Sequence, residues 1–154
     1  VKLREIIIYP PRVFHNKKDE KKFSKLVYNV KKAYPFAMIA TRELSLLDDT
    51  LLFVDSESQR KRIIKEREQQ MFHKYEDELK KLTVTQGRIL IKLVDRQTGS
   101  TSFDIVKEYR GTFSAFFWQS LARIFGENLR EEYDPDGDDK LIEEIVVKIE
   151  DGQL

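Results

Sequence analysis

Residues 3–9, LREIIIY, set three β-branched side chains in a row, and Pro10 and Pro11 follow at once. Such a run reads as a short extended segment stopped by prolines. No neighbouring stretch has the pattern of a partner strand. The segment therefore either packs on its own body or adds as a strand to another chain, a homodimer included. Packing on its own body is the expectation, because termini seldom form active interfaces. From Asp19 the period changes. Phe23, Leu26, Val27, Val30 and Tyr34 fall on one helical face, and Lys21, Lys22, Lys25, Lys31 and Lys32 lie mainly around the other side. Pro35 kinks that helix or opens a new one, and Leu44, Leu47, Leu51 and Val54 carry the stripe onward.

Asp55 or Ser56 is placed to cap a further helix, with Gln59 near a capping-box position. Residues 57–81 are dense in charge, with a narrow seam of Ile64, Met71, Tyr75, Leu79 and Leu82. Glu57–Lys61, Arg62–Glu66, Glu76–Lys80 and Asp77–Lys81 are spaced for ion pairs along a surface helix. Thr85 is the expected cap of the next helix. There Ile89, Leu90, Ile91, Leu93 and Val94 cover so wide an arc that the helix belongs in the core. Gly87, unfavourable in a helix, points to a close helix–helix crossing. Gly99 is a natural stop. Two short helices follow, Thr101 to Gly111 and Thr112 to Gly126. The second carries Phe113, Phe116, Phe117, Ile124 and Phe125 on one face. Leu141, Ile142, Ile145, Val146 and Ile149 make a last helical stripe, although IVVKI also fits a strand. The pattern predicts an all-α fold: a single globular domain of about six helices over residues 18–154, with a short extended N-terminal arm over 1–17.

Composition narrows the chemistry. The 154 residues carry 28 basic and 27 acidic side chains, and 40% are apolar, enough for a packed core. That balance argues against a nucleic-acid binder with a basic excess. Without cysteine there are no disulfides, thiolate catalysis or cysteine-held metals. His15 and His73 are too few for a multi-histidine metal site. No cofactor is implied, and no apolar run is long enough to span a membrane.

Three clusters carry candidate chemistry. Lys92, Asp95, Arg96 and Arg110, with Asp104 and Glu108, surround the glycine turn at Gly99. They either support acid–base chemistry or satisfy helix ends and one another; the second is the expectation. EYDPDGDDKLIE resembles a calcium loop when Glu132 is set at position one. Asp134, Asp136, Asp138 and Glu143 then fall at ligand positions, with Gly137 at the sixth. Asp139 at the eighth position is against it, and an acidic turn in which Asp138 or Asp139 caps the last helix is the simpler reading. A helix–turn–helix over 101–126 is disfavoured because its second helix would present phenylalanines to a groove.

The stretch LTVTQGRILIKLVDRQTGSTSFDIVKEYRGTFSAFFWQSLARIFG, then EYDPDGDD, resembles the domain-of-unknown-function family 4294 of Bacteroidetes. IIIYPPRVF and KLVYNVKKAYPFA resemble the same family's opening. The resemblance implies a small exported, periplasmic protein whose signal peptide has been removed from a chain that begins at Val1. It singles out Gln86, Lys92, Asp95, Arg96, Arg110, Trp118, Gln119, Tyr133 and Asp134, with Gln86, Trp118, Gln119, Tyr133 and Asp134 as binding candidates. No activity comes with it. The expectation is a non-enzymatic helical module of the cell envelope that binds another protein or an envelope component. A hydrolase using Lys92, Asp95, Arg96 and Arg110 is the alternative.

Overall fold

The computed structural model describes residues 3, 5–99, 115–126 and 133–154. Five helices and no strand occur among the described residues: α1 (Lys17–Leu51), α2 (Glu57–Leu79), α3 (Val84–Gly99), α4 (Ala115–Phe125) and α5 (Lys140–Glu150). The helix expected over Thr101–Gly111 lies outside the described residues. IVVKI is helical, as part of α5.

α1 begins where the Asn16 side chain accepts the Asp19 amide, 2.9 Å away. It then runs 35 residues straight through Pro35, so the proline opens no new helix. A helical proline removes one N–H and frees the carbonyl a turn earlier. Pro35 lies on the exposed side of α1, where water can take that carbonyl. At the other end, the Arg60 guanidinium donates to the carbonyls of Leu51 and Val54 at 3.3 and 3.0 Å, which closes the turn into α2. Ser56 caps α2 by accepting the Gln59 amide, as the sequence suggested.

α3 is capped one residue before its start by Thr83, not by Thr85. The Thr83 hydroxyl accepts the Gln86 amide at 3.1 Å, and the Gln86 side-chain carbonyl accepts the Thr83 amide at 3.0 Å. This reciprocal pair is a capping box with glutamine at its third position. Thr85 is exposed on the first turn instead.

The core forms because α3 is apolar over most of its surface. Ile89, Leu90, Ile91 and Leu93 are all buried, and they meet Val30, Ala33 and Ala37 of α1. The two alanines have no exposure, and their small side chains let α1 and α3 approach closely. Ile142, Ile145 and Val146 of α5 close one side, and Leu121 and Phe125 of α4 another. α2 presents Ile64, Glu68, Phe72 and Leu79 inward, so its buried edge runs through Phe72 where Met71 was expected. Leu47, Leu51 and Ile64 form a second small core beside the α1–α2 turn. Three of the expected ion pairs line the outside of α2: Lys61–Glu57, Arg62–Glu66 and Lys80–Glu76. His73 is exposed.

Among the described residues of the N-terminal segment, none through Phe14 is in regular secondary structure. Its second half is fastened. Phe14 packs on Phe23 with ring centroids 5.6 Å apart, the Arg12 guanidinium lies 4.6 Å from the same ring, and Arg12 pairs with Glu144 of α5. Lys148 stands 5.5 Å over the Tyr9 ring. Its first half is open: Leu3, Ile6 and Ile8 are well exposed.

Gly87 occupies the α3–α4 crossing. A Cβ there would fall 2.4 Å from the Phe125 ring, well inside contact distance. Alanine gains about 1 kcal/mol of helix propensity but must displace a packed aromatic ring. Gly87→Ala is therefore expected to destabilise by about 1–2 kcal/mol in urea unfolding, and Phe125→Leu in the same chain to recover part of the loss. An unchanged or higher midpoint for Gly87→Ala would show that α4 gives way without cost.

Candidate functional site

Lys92, Asp95 and Arg96 are spaced i, i+3 and i+4, so one face of α3 carries all three just where its apolar arc ends. The turn from Tyr133 to Asp139 and the start of α5 lie against this face. The turn is built around Asp134. Its carbonyl accepts the amides of Gly137 at 3.3 Å and Asp139 at 2.9 Å. Its carboxylate lies so close over Gly137 that a Cβ there would stand 2.0 Å from Oδ2. A side chain at this position would have to displace the exposed Asp134 carboxylate.

Asp139 precedes α5, and its carboxylate is turned away from the helix amides. It is 2% exposed. Oδ1 accepts Lys92 Nζ at 2.6 Å and Oδ2 accepts the Asp134 amide at 2.9 Å. The expected cap is thus a buried counter-ion that holds the turn to α3. Asp95 makes a second link, accepting the Tyr133 amide at 2.9 Å.

Arg96 makes the third. Its Nε and Nη2 donate to the two oxygens of Glu143 at 2.7 and 3.0 Å, a bidentate pair, while Nη1 donates to Glu150 at 2.9 Å. Glu143 and Glu150 are seven residues apart on α5, so they face the same way and straddle the guanidinium. The Tyr133 hydroxyl donates to Glu143 Oε2 at 2.6 Å. Burial disfavours the Glu143 carboxylate, but hydrogen bonds from Arg96 and Tyr133 outweigh it and hold Glu143 below its ordinary pKa. Burial and the bond to Glu143 push the Tyr133 hydroxyl well up. Burial works against the Arg96 charge too, and Glu143 and Glu150 overcome it.

The structure thus joins residues that the sequence offered as separate candidates: Lys92, Asp95 and Arg96 with Tyr133, Asp134 and Glu143. Arg110, Glu132, Asp104 and Glu108 lie outside the described residues, as does the Trp118 side chain. Gln119 is exposed on α4, away from the cluster's own bonds. Gln86 is buried; beyond its capping role, its Nε2 donates to Asn29 Oδ1 of α1 at 3.1 Å. Of the calcium-loop residues, Asp136 and Asp138 are exposed and Glu143 is engaged by Arg96 and Tyr133. Among the described residues no group of three or more acids or histidines is placed to hold a metal ion. Sequence reasoning missed Asp139 and Glu150 as partners. The signal was present as acids on α5 at helical spacing opposite Lys92 and Arg96.

Beside this cluster lies a cleft of about 660 Å³ between the N-terminal segment and the turn. Tyr9, Pro11 and Arg12 line one side and Pro135, Lys140 and Glu143 the other. Burial, then the carboxylates of Glu143 and Glu144, raises the Tyr9 pKa.

Removing one partner of a buried ion pair leaves an uncompensated charge. Lys92→Met strands Asp139 and is expected to cost about 3 kcal/mol in chemical denaturation. Lys61→Met, whose partner Glu57 is exposed, should stay within about 0.5 kcal/mol of the wild type. Equal effects would remove the Lys92–Asp139 pair from its structural role. A separate test uses pH. A carboxyl with a folded pKa below its unfolded value binds protons more readily when unfolded. Its stabilisation is complete above the unfolded value near 4.5 and lost as pH falls through the folded one. Thermal melts between pH 7 and pH 3, values that bracket the ordinary carboxyl range, should show a steeper acid-side loss in the wild type than in Glu143→Gln. Parallel curves would mean that Glu143 contributes no pH-dependent stability.

No curated protein and no solved structure matches the chain. Residues 1–148 match a family described as a domain of unknown function, a span that takes in both the N-terminal segment and the Lys92–Glu143 cluster. The chain belongs to that family, DUF4294.

Proposed function

We propose that this chain is a non-enzymatic helical module that binds a peptide segment of another protein along residues 3–13 and the cleft behind them. The observation that carries this reading is the exposure of Leu3, Ile6, Ile7, Ile8 and Val13 on a segment whose Tyr9, Arg12 and Phe14 are fastened to the body. Among the described residues, the backbone of 5–14 enters no backbone hydrogen bond. An extended, unpaired backbone with exposed β-branched side chains suits strand addition, in which main-chain bonds supply affinity and side chains specificity. The proposed workplace is the cell envelope, an expectation that rests on the sequence resemblance.

The alternative, a hydrolase, draws on the convergence of Lys92, Asp95 and Arg96 with Tyr133 and Glu143. A general base works best with a pKa near the operating pH. Glu143 is displaced in the opposite direction, and its two oxygens already accept three hydrogen bonds from Arg96 and Tyr133. The cluster's geometry supports a structural role for it, and the open segment is the better candidate for contact with a partner.

A photo-crosslinker placed at Ile8, in the protein expressed in its native cells, tests the proposal. A discrete adduct is expected in the envelope fraction. It should disappear when Ile6→Asp is added and persist when Leu141→Asp is added, since Leu141 is exposed elsewhere on α5. No adduct, or one indifferent to Ile6→Asp, would remove this segment as the binding site.

A further inference from the structure

We infer that the outer face of α1 docks on an anionic lipid surface. Residues 17–32 hold seven lysines against two acids, Asp19 and Glu20. At 3.6 residues per turn, Lys18, Lys21, Lys25 and Lys32 fall within one narrow sector, with Lys17 and Tyr28 at its border. The centre of the sector lies about a third of a turn round the helix from that of the buried Val30, Ala33 and Ala37, and every residue in the sector is exposed. The two acids fall outside it. The row from Lys18 to Lys32 is about 21 Å long, and the positive end of the helix dipole adds to it at Lys17.

Among the described residues, the charges of α3 and α5 neutralise one another, whereas this row has no ion-pair partner. The α5 acids are engaged: Glu143 and Glu150 by Arg96, and Glu144 by Arg12 and Lys148. Lys17, Lys18, Lys21 and Lys25 make no ion pair among the described residues, and Lys32 only stands 5.6 Å over the Tyr28 ring. The lysine row is therefore open to an external anion.

The geometry selects among anions. The lysines form a single row along the helix, which fits a planar layer of headgroups better than a folded acidic peptide. Nucleic-acid recognition relies heavily on arginine forks, and no arginine occurs between Arg12 and Arg42. The acids exposed together, Asp134, Asp136 and Asp138, sit in one short turn, a smaller target for a second copy than a row about 21 Å long. Lysines lying near an anionic leaflet strengthen binding about fivefold each. Tyr28, 57% exposed within the row, has the ring and hydroxyl that suit a lipid–water boundary.

Co-sedimentation with vesicles tests the inference independently of the peptide reading, since the two faces share no residue. Vesicles of phosphatidylcholine with about a third phosphatidylserine should bind the protein at about 0.1 M salt and release it at about 0.5 M. Changing Lys18, Lys21, Lys25 and Lys32 together to Gln should weaken binding at least about tenfold, with helix content unchanged by circular dichroism. The same four changed to Arg, and Lys61→Gln with Lys65→Gln on α2, should both keep it. Equal binding to pure phosphatidylcholine, retention by the four-Gln chain, or tighter binding to duplex DNA than to the vesicles at the same salt would each overturn the inference.

Discussion

A carboxylate that has lost its water must find a cation, and Asp139 finds Lys92. Much of the architecture on that side of the molecule follows from the demand. α3 is apolar over most of its surface, yet it carries Lys92, Asp95 and Arg96 in its last two turns. Each draws in a partner from the Tyr133–Glu150 region: Lys92 takes Asp139, Asp95 the Tyr133 amide, and Arg96 both Glu143 and Glu150. α5 is therefore held at two levels, by Ile142, Ile145 and Val146 against the core and by charge along its edge. The hydrophobic contacts supply most of the attraction and are tolerant of sliding. Bidentate hydrogen bonding is not, so the Arg96–Glu143 pair fixes which turn of α5 faces which turn of α3.

The helices were legible in the sequence because apolar period reports burial directly. α3 was placed in the core from its wide arc, and Gly87 was tied to a close crossing before Phe125 could be identified as the neighbour. Local chemistry read less well. Thr83 and Thr85 look equally suited to start α3, and the choice fell to Gln86, which reaches back to the Thr83 amide and forward to Asn29. Pro35 is a breaker by local rule, and its solvent-facing position within a well-packed helix made it tolerable. Met71 and Phe72 are adjacent, so a shift of one residue in the assumed face was enough to miss the buried one.

The site was half legible for a related reason. Lys92, Asp95 and Arg96 announce themselves as charges on an apolar helix, and the acidic turn announces itself as a cluster. Nothing local says that the two belong together, because they are 47 residues apart in sequence at the Lys92–Asp139 pair. Taken alone, the turn looks like a calcium loop, because a run of acids without visible cations invites an ion. Placed against α3, its acids at 139 and 143 meet ammonium and guanidinium groups. The opposite-charge residues at matched spacing on α3 and α5 were the available clue, and it is visible only once the two helices are supposed to be neighbours.

Charge is thus used in two ways within one nearly neutral chain. On the α3–α5 side, opposite charges are brought together at hydrogen-bonding distance and neutralised, which leaves little field outside. On the outer face of α1, lysines are set side by side with no acid in their sector, so their fields add. Folding alone gives no reason for the second arrangement, since like charges along a helix repel. Substituting some of those lysines by glutamate at i, i+4 spacing would serve the helix better. A cost of that kind, on a face that contributes nothing to the core, is the physical reason to look outside the molecule for what the lysine row meets.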